Sequence, residues 1–413
     1  MFDLNKMGAE AKAASRVLMT AGTELKNRAL ESIACALDAE RNDWLLANEL
    51  DIKAARANGM RESLIDRLLL TDQRIDGIIK GVREVKELID PVGITLETNT
   101  RPNGLVIEKR TVPIGVIGII YEARPNVTVD AAVLTLKSGN AVILRGGKEA
   151  INSNLAVIKI MQKALVSVGL PAESVQVISD TSRESSQALM NLTEYVDVLI
   201  PRGGRGLIRS VVAEAKVPVI KTGEGVCHVY IDKDADLKMG ALVLNNAKTS
   251  RPSVCNAAEC VIIHREVLED FLKEAVPMLK EHNVRFVCDE SSIKYVDGTP
   301  ATEEDWDTEY GDYVLAVKTV DSLDEAISFI EKHGTSHSEA IITENAETAA
   351  QFLNQTDAAA VYWNASTRFT DGGEFGLGAE IGISTQKMHA RGPMGLREIT
   401  SYKYVVTGKG QIR

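Results

Sequence analysis

One cysteine of the chain lies in a setting that suits a reactive thiol. Cys255 stands in a polar, turn-rich segment that runs from Lys248 to Glu259 and reads KTSRPSVCNAAE. Lys248 and Arg251 bring positive charge, which favours a thiolate, and Pro252 enforces a turn. The small residues after the cysteine leave room for a substrate to approach. The segment therefore predicts a nucleophile that accepts an acyl group.

The other cysteines fit the commoner interpretation of a buried structural thiol. They are Cys35, Cys227, Cys260 and Cys288. Cys35 falls on the apolar face of a helical pattern, and Cys260 comes directly before the strand-like run Val261-Ile262-Ile263. An odd number of cysteines without framework spacing fits a reducing compartment, and the first residues show no secretory pattern. We therefore expect a cytoplasmic protein.

Length, composition and charge exclude several classes of protein. A chain of 413 residues is too long for one small core and predicts two or three domains. The apolar fraction of 45% and the charged fraction of 25% are ordinary for a soluble protein, and no apolar run approaches the roughly 20 residues of a membrane span. A net charge of −11 argues against non-specific nucleic-acid binding. A local arginine cluster can still hold a small anionic substrate.

Apolar spacing outlines the elements that must position the cysteine. Residues up to about Leu88 carry the spacing of packing helices, as in Leu30, Ile33, Ala34 and Leu37. Between Ile94 and Glu108, two β-prone runs surround Pro102-Asn103-Gly104, which predicts a hairpin. Because an isolated hairpin is marginal in water, we expect it to lean on another surface.

Two ladders of short β-rich runs alternating with helical stretches fill most of the remaining chain. The first runs from Ile114 to Ile220, and the second from His228 to Trp363. Such alternation predicts an α/β fold with parallel sheets and helices on both faces, where ligands bind at the carboxyl ends of the strands. The predicted strands of the first ladder are 114–120, 141–145, 175–178, 196–200 and 217–220, and a final strand is predicted at 401–407.

Two glycine-bearing strand exits indicate a cofactor that contains phosphate. The G-x-G-x-x-G fingerprint and the Walker A loop are both absent. However, Arg145-Gly146-Gly147-Lys148 and Pro201-Arg202-Gly203-Gly204 each leave a predicted strand, where backbone N–H groups, a helix start and basic side chains suit a phosphate. His333 and His337 have the spacing of a helical metal pair, but Gly334 between them breaks the helix. We expect no metal site.

The order of these motifs resembles a known family. Pro113–Gly118 (PIGVIG), Ser138–Gly147 (SGNAVILRGG), the cysteine segment and Glu309-Tyr310-Gly311 follow the aldehyde dehydrogenase superfamily. A second, narrower set of motifs resembles the gamma-glutamyl phosphate reductase family within it. These motifs are YEARPNVT at 121–128, KTGEG at 221–225 and HARGPMGL at 389–396. The resemblance covers nearly the whole chain.

The resemblance implies a reaction, a fold and an assembly. That family reduces L-glutamate 5-phosphate to L-glutamate 5-semialdehyde with NADPH, the second step from glutamate to proline, and glutamate 5-kinase would supply the labile acyl phosphate. The implied fold is aldehyde dehydrogenase-like, with two Rossmann-like parallel-sheet domains and a β-hairpin oligomerisation arm. Residues 1–225 would form the NADP-binding domain, interrupted by the arm at about 94–110, residues 226–363 the catalytic domain, and residues 364–413 a return segment and C-terminal strand. A homo-oligomer, dimer or tetramer, is expected.

The resemblance also assigns roles to single residues. Cys255 would be the nucleophile, and its backbone N–H together with Asn126 or Arg124 would stabilise the oxyanion. Arg124, Arg251 and Arg368 would pair with the carboxylate or phosphate of the substrate, because guanidinium groups bind both bidentately. The residues expected to bind the cofactor are Arg145, Gly146, Gly147, Lys148, Pro201, Arg202, Gly203, Gly204, Gly225 and Glu309.

One departure from the wider superfamily bears on the fate of the acyl-enzyme. Hydrolytic aldehyde dehydrogenases carry a water-activating glutamate in a Glu-Leu-Gly-Gly motif. Aligning its last glycine with Gly225 puts Thr222 at that place, although Glu224 lies two residues further on. Three alternatives stay open on the residues alone: an acylating dehydrogenase that uses a CoA thioester, a cysteine hydrolase or transferase without nicotinamide, and a non-catalytic binding subunit.

Overall fold

The computed structural model describes residues 3–122 and 124–413, and it forms two compact units. Unit 1 consists of Met1–Lys221, Gly376–Gly382 and Met394–Arg413, and unit 2 of Thr222–Phe375 and Ile383–Pro393. Ala123, which belongs to the motif at 121–128, lies outside the described residues, as do residues 1–2.

Unit 1 begins with a run of helices, and two of them start with a side-chain cap. The Asp3 side chain accepts the Lys6 N–H at the start of the first helix, and Thr71 accepts the Arg74 N–H at the start of the fifth. The helices are α1 (Leu4–Thr20), α2 (Thr23–Ala39), α3 (Arg41–Ala57), α4 (Glu62–Leu68) and α5 (Asp72–Glu87).

The predicted apolar face of α2 is buried, but one of the residues assigned to it is not. Leu30, Ile33, Ala34 and Leu37 are buried, as their spacing predicts. Cys35, in contrast, is exposed, so the prediction of a buried thiol there is wrong. Successive residues of a helix point about 100° apart, and Ala34 takes the position that faces the core.

The predicted hairpin is confirmed as an antiparallel pair, β1 (Thr95–Thr100) and β2 (Val106–Pro113). The turn is closed by the Arg101 N–H, which donates to the Leu105 carbonyl at 2.8 Å. Gly104 has a φ of 87°, a left-handed conformation that favours glycine at this position.

A four-stranded parallel sheet forms the centre of unit 1, in the order β5-β4-β3-β6. Its strands are β3 (Val116–Tyr121), β4 (Ala141–Arg145), β5 (Val175–Val177) and β6 (Val198–Arg202), and its helices are α6 (Pro125–Lys137), α7 (Ile151–Ser167), α8 (Arg183–Met190) and α9 (Arg205–Glu214). Every residue of β3 is buried, as expected for a central parallel strand. The strand predicted at 217–220 is reduced to a single bridge between Val219 and Leu199, so this part of the prediction is wrong.

Unit 2 is built on a seven-stranded parallel sheet in the order β10-β9-β11-β8-β7-β12-β13. The strands are β7 (Cys227–Ile231), β8 (Ala258–His264), β9 (Arg285–Cys288), β10 (Thr299–Pro300), β11 (Val314–Val320), β12 (Ser338–Ile342) and β13 (Ala360–Trp363), and the helices are α10 (Leu237–Thr249), α11 (Leu268–Glu281), α12 (Glu303–Trp306), α13 (Leu323–His333) and α14 (Ala346–Gln355). Alternate residues of β8 enter separate apolar clusters, Val261 and Ile263 in one and Cys260 and Ile262 in the other. The sheet is therefore buried on both faces.

The last segments complete two small antiparallel sheets. In unit 2, β14 (Ile383–Ser384) pairs with β15 (Gly392–Pro393). In unit 1, β16 (Thr400–Thr407) pairs with β2 along its whole length and makes a three-stranded sheet, β1-β2-β16. The predicted fold class, an α/β chain with two parallel sheets and an antiparallel hairpin, is confirmed. No helix within the described ranges is long and apolar enough to cross a membrane.

Candidate active site

Cys255 lies, half-buried, in the turn that joins α10 to β8. The Ala257 N–H donates to the Val254 carbonyl at 3.0 Å and closes this turn. Because the turn precedes β8, the cysteine stands at the amino end of its strand, whereas the sequence pattern predicts sites at carboxyl ends. The loops before β7, β11 and β12 lie at the same edge, since all these strands are parallel. The residues before these strands thus become the neighbours of the thiol.

Asn256 links the cysteine turn by hydrogen bonds to residues 367–370, which lie far along the chain. Its side chain is buried, and Nδ2 donates to the Thr370 carbonyl at 2.9 Å and to the Arg368 carbonyl at 3.3 Å. In return, the Thr367 hydroxyl donates to the Asn256 carbonyl at 2.8 Å. The short 3₁₀ turn Thr367–Phe369 is therefore held against the residue next to Cys255.

The guanidinium of Arg368 binds two residues of the cysteine segment. Its Nε donates to the Ser250 hydroxyl at 3.0 Å, and its Nη1 donates to Asn256 Oδ1. Burial lowers the pKa of Arg368, the charge of nearby Arg251 lowers it further, and Cys255 is among the groups that raise it. A guanidinium in this place stabilises a thiolate. Arg251 itself is exposed.

Lys248 does not supply free positive charge to the thiol, which corrects the sequence-based expectation. Its ammonium group is buried and lies 2.6 Å from Glu259 Oε2, so its charge is matched within the protein interior. The sequence pattern placed both residues at the ends of the cysteine segment, but their pairing depends on how α10 packs beside β8.

The backbone carbonyl of Cys255 is held by residues at the start of β7. The Cys227 thiol donates to this carbonyl at 3.2 Å. A Cβ atom at Gly225 would coincide with the same oxygen, so only glycine fits there. Gly225, predicted as a cofactor residue, therefore has a packing reason to be glycine.

Glu309 connects this region to the loop before β11. Its Oε1 accepts the Gly225 N–H at 3.1 Å. Two residues later, the Gly311 N–H donates to Glu259 Oε1, also at 3.1 Å. Glu309, Gly225 and the Cys255 carbonyl thus form one continuous run of contacts at the amino edge of the sheet.

A buried polar chain lies behind the turn. The Thr370 hydroxyl is 2.7 Å from the Ser338 hydroxyl, which is 2.8 Å from His337 Nδ1. His337 is fully buried, and its Nε2 has no hydrogen-bond partner within the described part of the chain. Burial lowers the pKa of His337 to about 4, so the ring is neutral near pH 7.

The remaining cysteines of unit 2 are poor candidates for a nucleophile. Burial raises the pKa of Cys227 and of Cys260, and it raises the pKa of Cys288 to about 11. Thiols of this kind stay protonated near neutral pH. Cys255 differs from all three because it is only partly buried.

In unit 1, the predicted cofactor residues lie at the carboxyl ends of β4 and β6. Arg145 ends β4, and its guanidinium donates to the carbonyls of Gly146 at 3.0 Å, Thr181 at 2.7 Å and Ser182 at 2.9 Å. It therefore ties the turn before α8 to the end of β4. Lys148, three residues on, is exposed at the start of a 3₁₀ turn that leads into α7.

The turn after β6 binds a carboxylate of the protein itself, that of Glu122. Gly204 is the N-cap residue of α9, and its N–H donates to Glu122 Oε1 at 3.0 Å. Gly203 has no room for a side chain, because a Cβ there would meet the Glu122 carboxyl group. A helix start that attracts a carboxylate also suits a phosphate. Pro201 and Arg202 are the last residues of β6.

The candidate oxyanion residues of unit 1 begin α6. Arg124 is the N-cap residue of this helix. Asn126 lies in its first turn, and Nδ2 donates to Asp130 Oδ2 at 3.2 Å. Burial raises the pKa of Asp130 to about 6, although Asn126 and Arg202 both act in the opposite direction. One amide hydrogen of Asn126 is therefore engaged within its own helix.

Sequence patterns assign no site role to three residues that shape these sites. Glu259, Glu122 and Cys227 act through partners that are distant along the chain, so no spacing rule brings them together. Only Glu259 carried a signal, because a charge directly before the apolar run 260–263 predicts a buried partner. His333, which ends α13, bonds to Asp307 at 2.8 Å. Within the described ranges, no group of three His, Cys, Asp or Glu side chains is arranged to hold a metal ion.

Comparison with known proteins places the chain in a family. Residues 3–293 match the model of the aldehyde dehydrogenase family. A gamma-glutamyl phosphate reductase of Halothermothrix orenii is 55% identical over 98% of this chain and 97% of its own length, and one of Enterococcus faecalis is 54% identical over 100% and 99%.

The solved structures agree with the sequence relatives. The gamma-glutamyl phosphate reductase of Thermotoga maritima has a TM-score of 0.98 at 49% identity and covers 100% of both chains. An acetylating aldehyde dehydrogenase of Geobacillus thermoglucosidasius, at 17% identity and a TM-score of 0.69, shares the fold. The chain belongs to the aldehyde dehydrogenase family, in its gamma-glutamyl phosphate reductase branch.

Proposed function

We propose that the chain reduces L-glutamate 5-phosphate to L-glutamate 5-semialdehyde with NADPH, releasing phosphate, as the second step of proline biosynthesis from glutamate. The observation that carries the proposal is the setting of Cys255, a half-buried thiol whose neighbour Asn256 accepts a hydrogen bond from the Arg368 guanidinium. Relatives that are more than half identical over the whole chain carry the name of this reaction.

The residues of unit 1 fit a phosphate-bearing cofactor. The start of α9 offers backbone N–H groups at a turn where Gly203 leaves no room for a side chain, and it already attracts the Glu122 carboxylate. Lys148 is exposed three residues after the end of β4, where it suits a second phosphate. Arg145 Nε is a buried donor without a partner in the part of the chain that the structure describes. These residues, with Pro201, Arg202 and Glu309, would hold NADPH, which when bound supplies a hydride to the acyl carbon.

Cys255 provides the covalent step. Its Sγ attacks the acyl carbon of the substrate, a C–S bond forms, and the bond from carbon to the phosphate oxygen breaks, so that phosphate leaves. After reduction, the C–S bond of the thiohemiacetal breaks, and the thiolate leaves as the aldehyde forms. The Arg368 guanidinium favours the thiolate both as attacking group and as leaving group.

Two kinds of donor assist this chemistry. The developing oxyanion would be stabilised by the backbone N–H of Cys255 and by Asn126 or Arg124 at the start of α6. Arg251, with Arg124 and Arg368, would bind the carboxylate or phosphate of the substrate, because a guanidinium can bind either group with two hydrogen bonds.

Thr222, three residues before Gly225, also supports transfer to phosphate over hydrolysis. When the last glycine of the Glu-Leu-Gly-Gly motif is aligned with Gly225, Thr222 takes the place of the water-activating glutamate; it is buried and bridges to Ser384 through its backbone. A threonine cannot act as a general base for water in the way a carboxylate does. On this alignment the thioester would lack a water-activating base at that place, and Glu224, two residues further on, is the nearest carboxylate in the motif.

The reverse reaction tests this proposal without the labile acyl phosphate. L-Glutamate 5-semialdehyde and NADP are mixed with the protein, and the nicotinamide absorbance is followed with and without inorganic phosphate. We expect NADPH to form only when phosphate is present. When coenzyme A replaces phosphate, we expect little or no reduction of NADP. Reduction of NADP without phosphate would indicate a hydrolytic dehydrogenase. Reduction of NADP that requires coenzyme A would indicate an enzyme that forms acyl-CoA.

A further inference from the structure

A buried ion pair joins the two ends of the cysteine loop. Lys248, in the last turn of α10, and Glu259, in β8, have side chains that are 0% and 1% exposed, with Nζ and Oε2 2.6 Å apart. The two residues are eleven positions apart in the chain, and Cys255 lies between them. The pair therefore fixes where the loop leaves the helix and where it enters the sheet.

Glu259 also reaches the loop that carries Glu309. Its second oxygen, Oε1, accepts the Gly311 N–H at 3.1 Å. Gly311 has a φ of 60° and precedes β11, the neighbour of β8 in the sheet. Glu309 in turn accepts the Gly225 N–H at 3.1 Å, and Gly225 packs on the Cys255 carbonyl. One carboxylate thus links the loop of the nucleophile to the loop of a proposed cofactor residue.

The energetics of the pair argue against a role in stability alone. Burial lowers the pKa of Lys248 and raises the pKa of Glu259, and in both cases burial is the largest influence, ahead of the attraction between the two charges. Replacing a buried ion pair by apolar side chains of similar volume is often neutral or stabilising. An apolar pair, however, has no acceptor for the Gly311 N–H. What the pair adds is therefore a fixed geometry between two loops.

We propose that Glu259, with Lys248 as its charged partner, is a positioning residue that sets the spacing between the Cys255 loop and the Glu309 loop. It acts through these loops and carries no step of the reaction itself. The inference rests on the proposed function only because it takes Cys255 as the nucleophile and Glu309 as a residue that binds the cofactor.

Two double variants separate geometry from charge. Lys248→Met with Glu259→Gln removes both charges but keeps an acceptor for the Gly311 N–H. Lys248→Met with Glu259→Met removes the charges and the acceptor. Both are made in a Cys35→Ser background, so that the exposed thiol of α2 does not react. The measurements are the melting temperature, kcat, KM for NADPH, and the rate at which iodoacetamide alkylates Cys255, located by peptide mass spectrometry.

The two double variants should melt at similar temperatures and differ in function. We expect the Gln variant to stay within about threefold of wild-type kcat/KM and the Met variant to lose about ten- to a hundredfold, as when working groups are misplaced by an ångström. The alkylation rate of Cys255 should change in the Met variant only. Wild-type kinetics and alkylation in the Met variant would overturn the proposal, as would equal losses in both variants.

Two further outcomes keep the test decisive. If the Met variant does not fold, Lys248→Met with Glu259→Ala replaces it, because alanine also lacks the acceptor and needs less room. Wild-type kinetics and alkylation in this variant, or inactivity of the Gln variant at a wild-type melting temperature, would overturn the proposal. If the wild type itself does not oxidise NADPH, the proposed function fails, whereas the alkylation rates still report on the position of the loop.

Discussion

At the scale of single residues, the reactivity of the loop depends on how each nearby cation is partnered. Lys248 is paired with a buried carboxylate, whereas the guanidinium of Arg368 donates to the neutral groups of Ser250 and Asn256. Because neutral hydrogen-bond partners do not neutralise its charge, such a cation can stabilise a nearby thiolate. Arg368 therefore combines two tasks, since it also holds the turn of Asn256 in place.

Coenzyme preference is a second property that we assign to one residue. Lys148 is exposed three residues after β4, and in the proposed cofactor site a basic side chain there would attract the 2′-phosphate of NADP, whereas an acidic one would repel it. Lys148→Glu should lower the preference for NADPH over NADH by about tenfold or more, about 1.4 kcal/mol per decade. The ratio of kcat/KM for the two coenzymes measures the effect.

Lys159→Glu is the matched control, because Lys159 is exposed on α7 and undergoes the same change of charge. Its coenzyme preference should equal that of the wild type. An unchanged preference in Lys148→Glu would assign Lys148 to solvent and remove it from the cofactor site.

At the scale of elements, the packing of β12 predicts a dependence of stability on pH. His337, directly before β12, is fully buried, and its pKa in the folded protein is about 4, below the ordinary 6.5. The folded state binds fewer protons than the unfolded state between these values. The neutral ring therefore contributes stability above about pH 6.5, and this contribution is lost as the pH falls towards 4.

Replacing this histidine should flatten that dependence. Between about pH 7 and about pH 5, the wild type should lose about 2 kcal/mol more of its free energy of unfolding than His337→Gln does. Urea unfolding at the two pH values measures the difference. His282→Gln, at an exposed histidine after α11, should behave as the wild type. Equal losses in wild type and His337→Gln would show that the buried ring does not titrate as described.

Elements were predicted well where their own residues determine them. The spacing of Leu30, Ile33 and Leu37 predicts α2 because a helix that packs on one side repeats every 3.6 residues. The continuous apolar run of β3 predicts a strand that is buried on both faces. Contacts between distant segments left no such pattern. The approach of Glu122 to Gly204 and the ion pair of Lys248 with Glu259 arise only when the strands assemble.

At the scale of the whole molecule, the sheet β1-β2-β16 has the properties of an assembly surface. Among the described residues, no strand pairs with the outer edge of β1 or of β16, and β16 exposes Tyr402, Tyr404 and Val406. Edges of this kind readily extend by pairing with another chain, and closed symmetric dimers are the commonest result. We therefore expect the hairpin to act as an oligomerisation arm.

Two changes test the arm. Deleting residues 99–104 with a short glycine bridge, or replacing the 62% exposed Tyr404 by glutamate, should shift the protein to a smaller species in light scattering. Binding of NADPH should be largely kept, because the parallel sheet of unit 1 is unchanged. A wild type that is already monomeric at about micromolar concentration would show that the hairpin packs on its own chain.

The central claim is that Cys255 carries the acyl group, and its most direct test is the turnover of Cys255→Ser. The serine variant should fold and bind NADPH as the wild type does but lose both acyl-phosphate reduction and phosphate-dependent aldehyde oxidation, since a hydroxyl is a far weaker nucleophile than a thiolate. Cys35→Ser, at the exposed thiol of α2, should keep full activity. Near-normal turnover in Cys255→Ser would contradict the account.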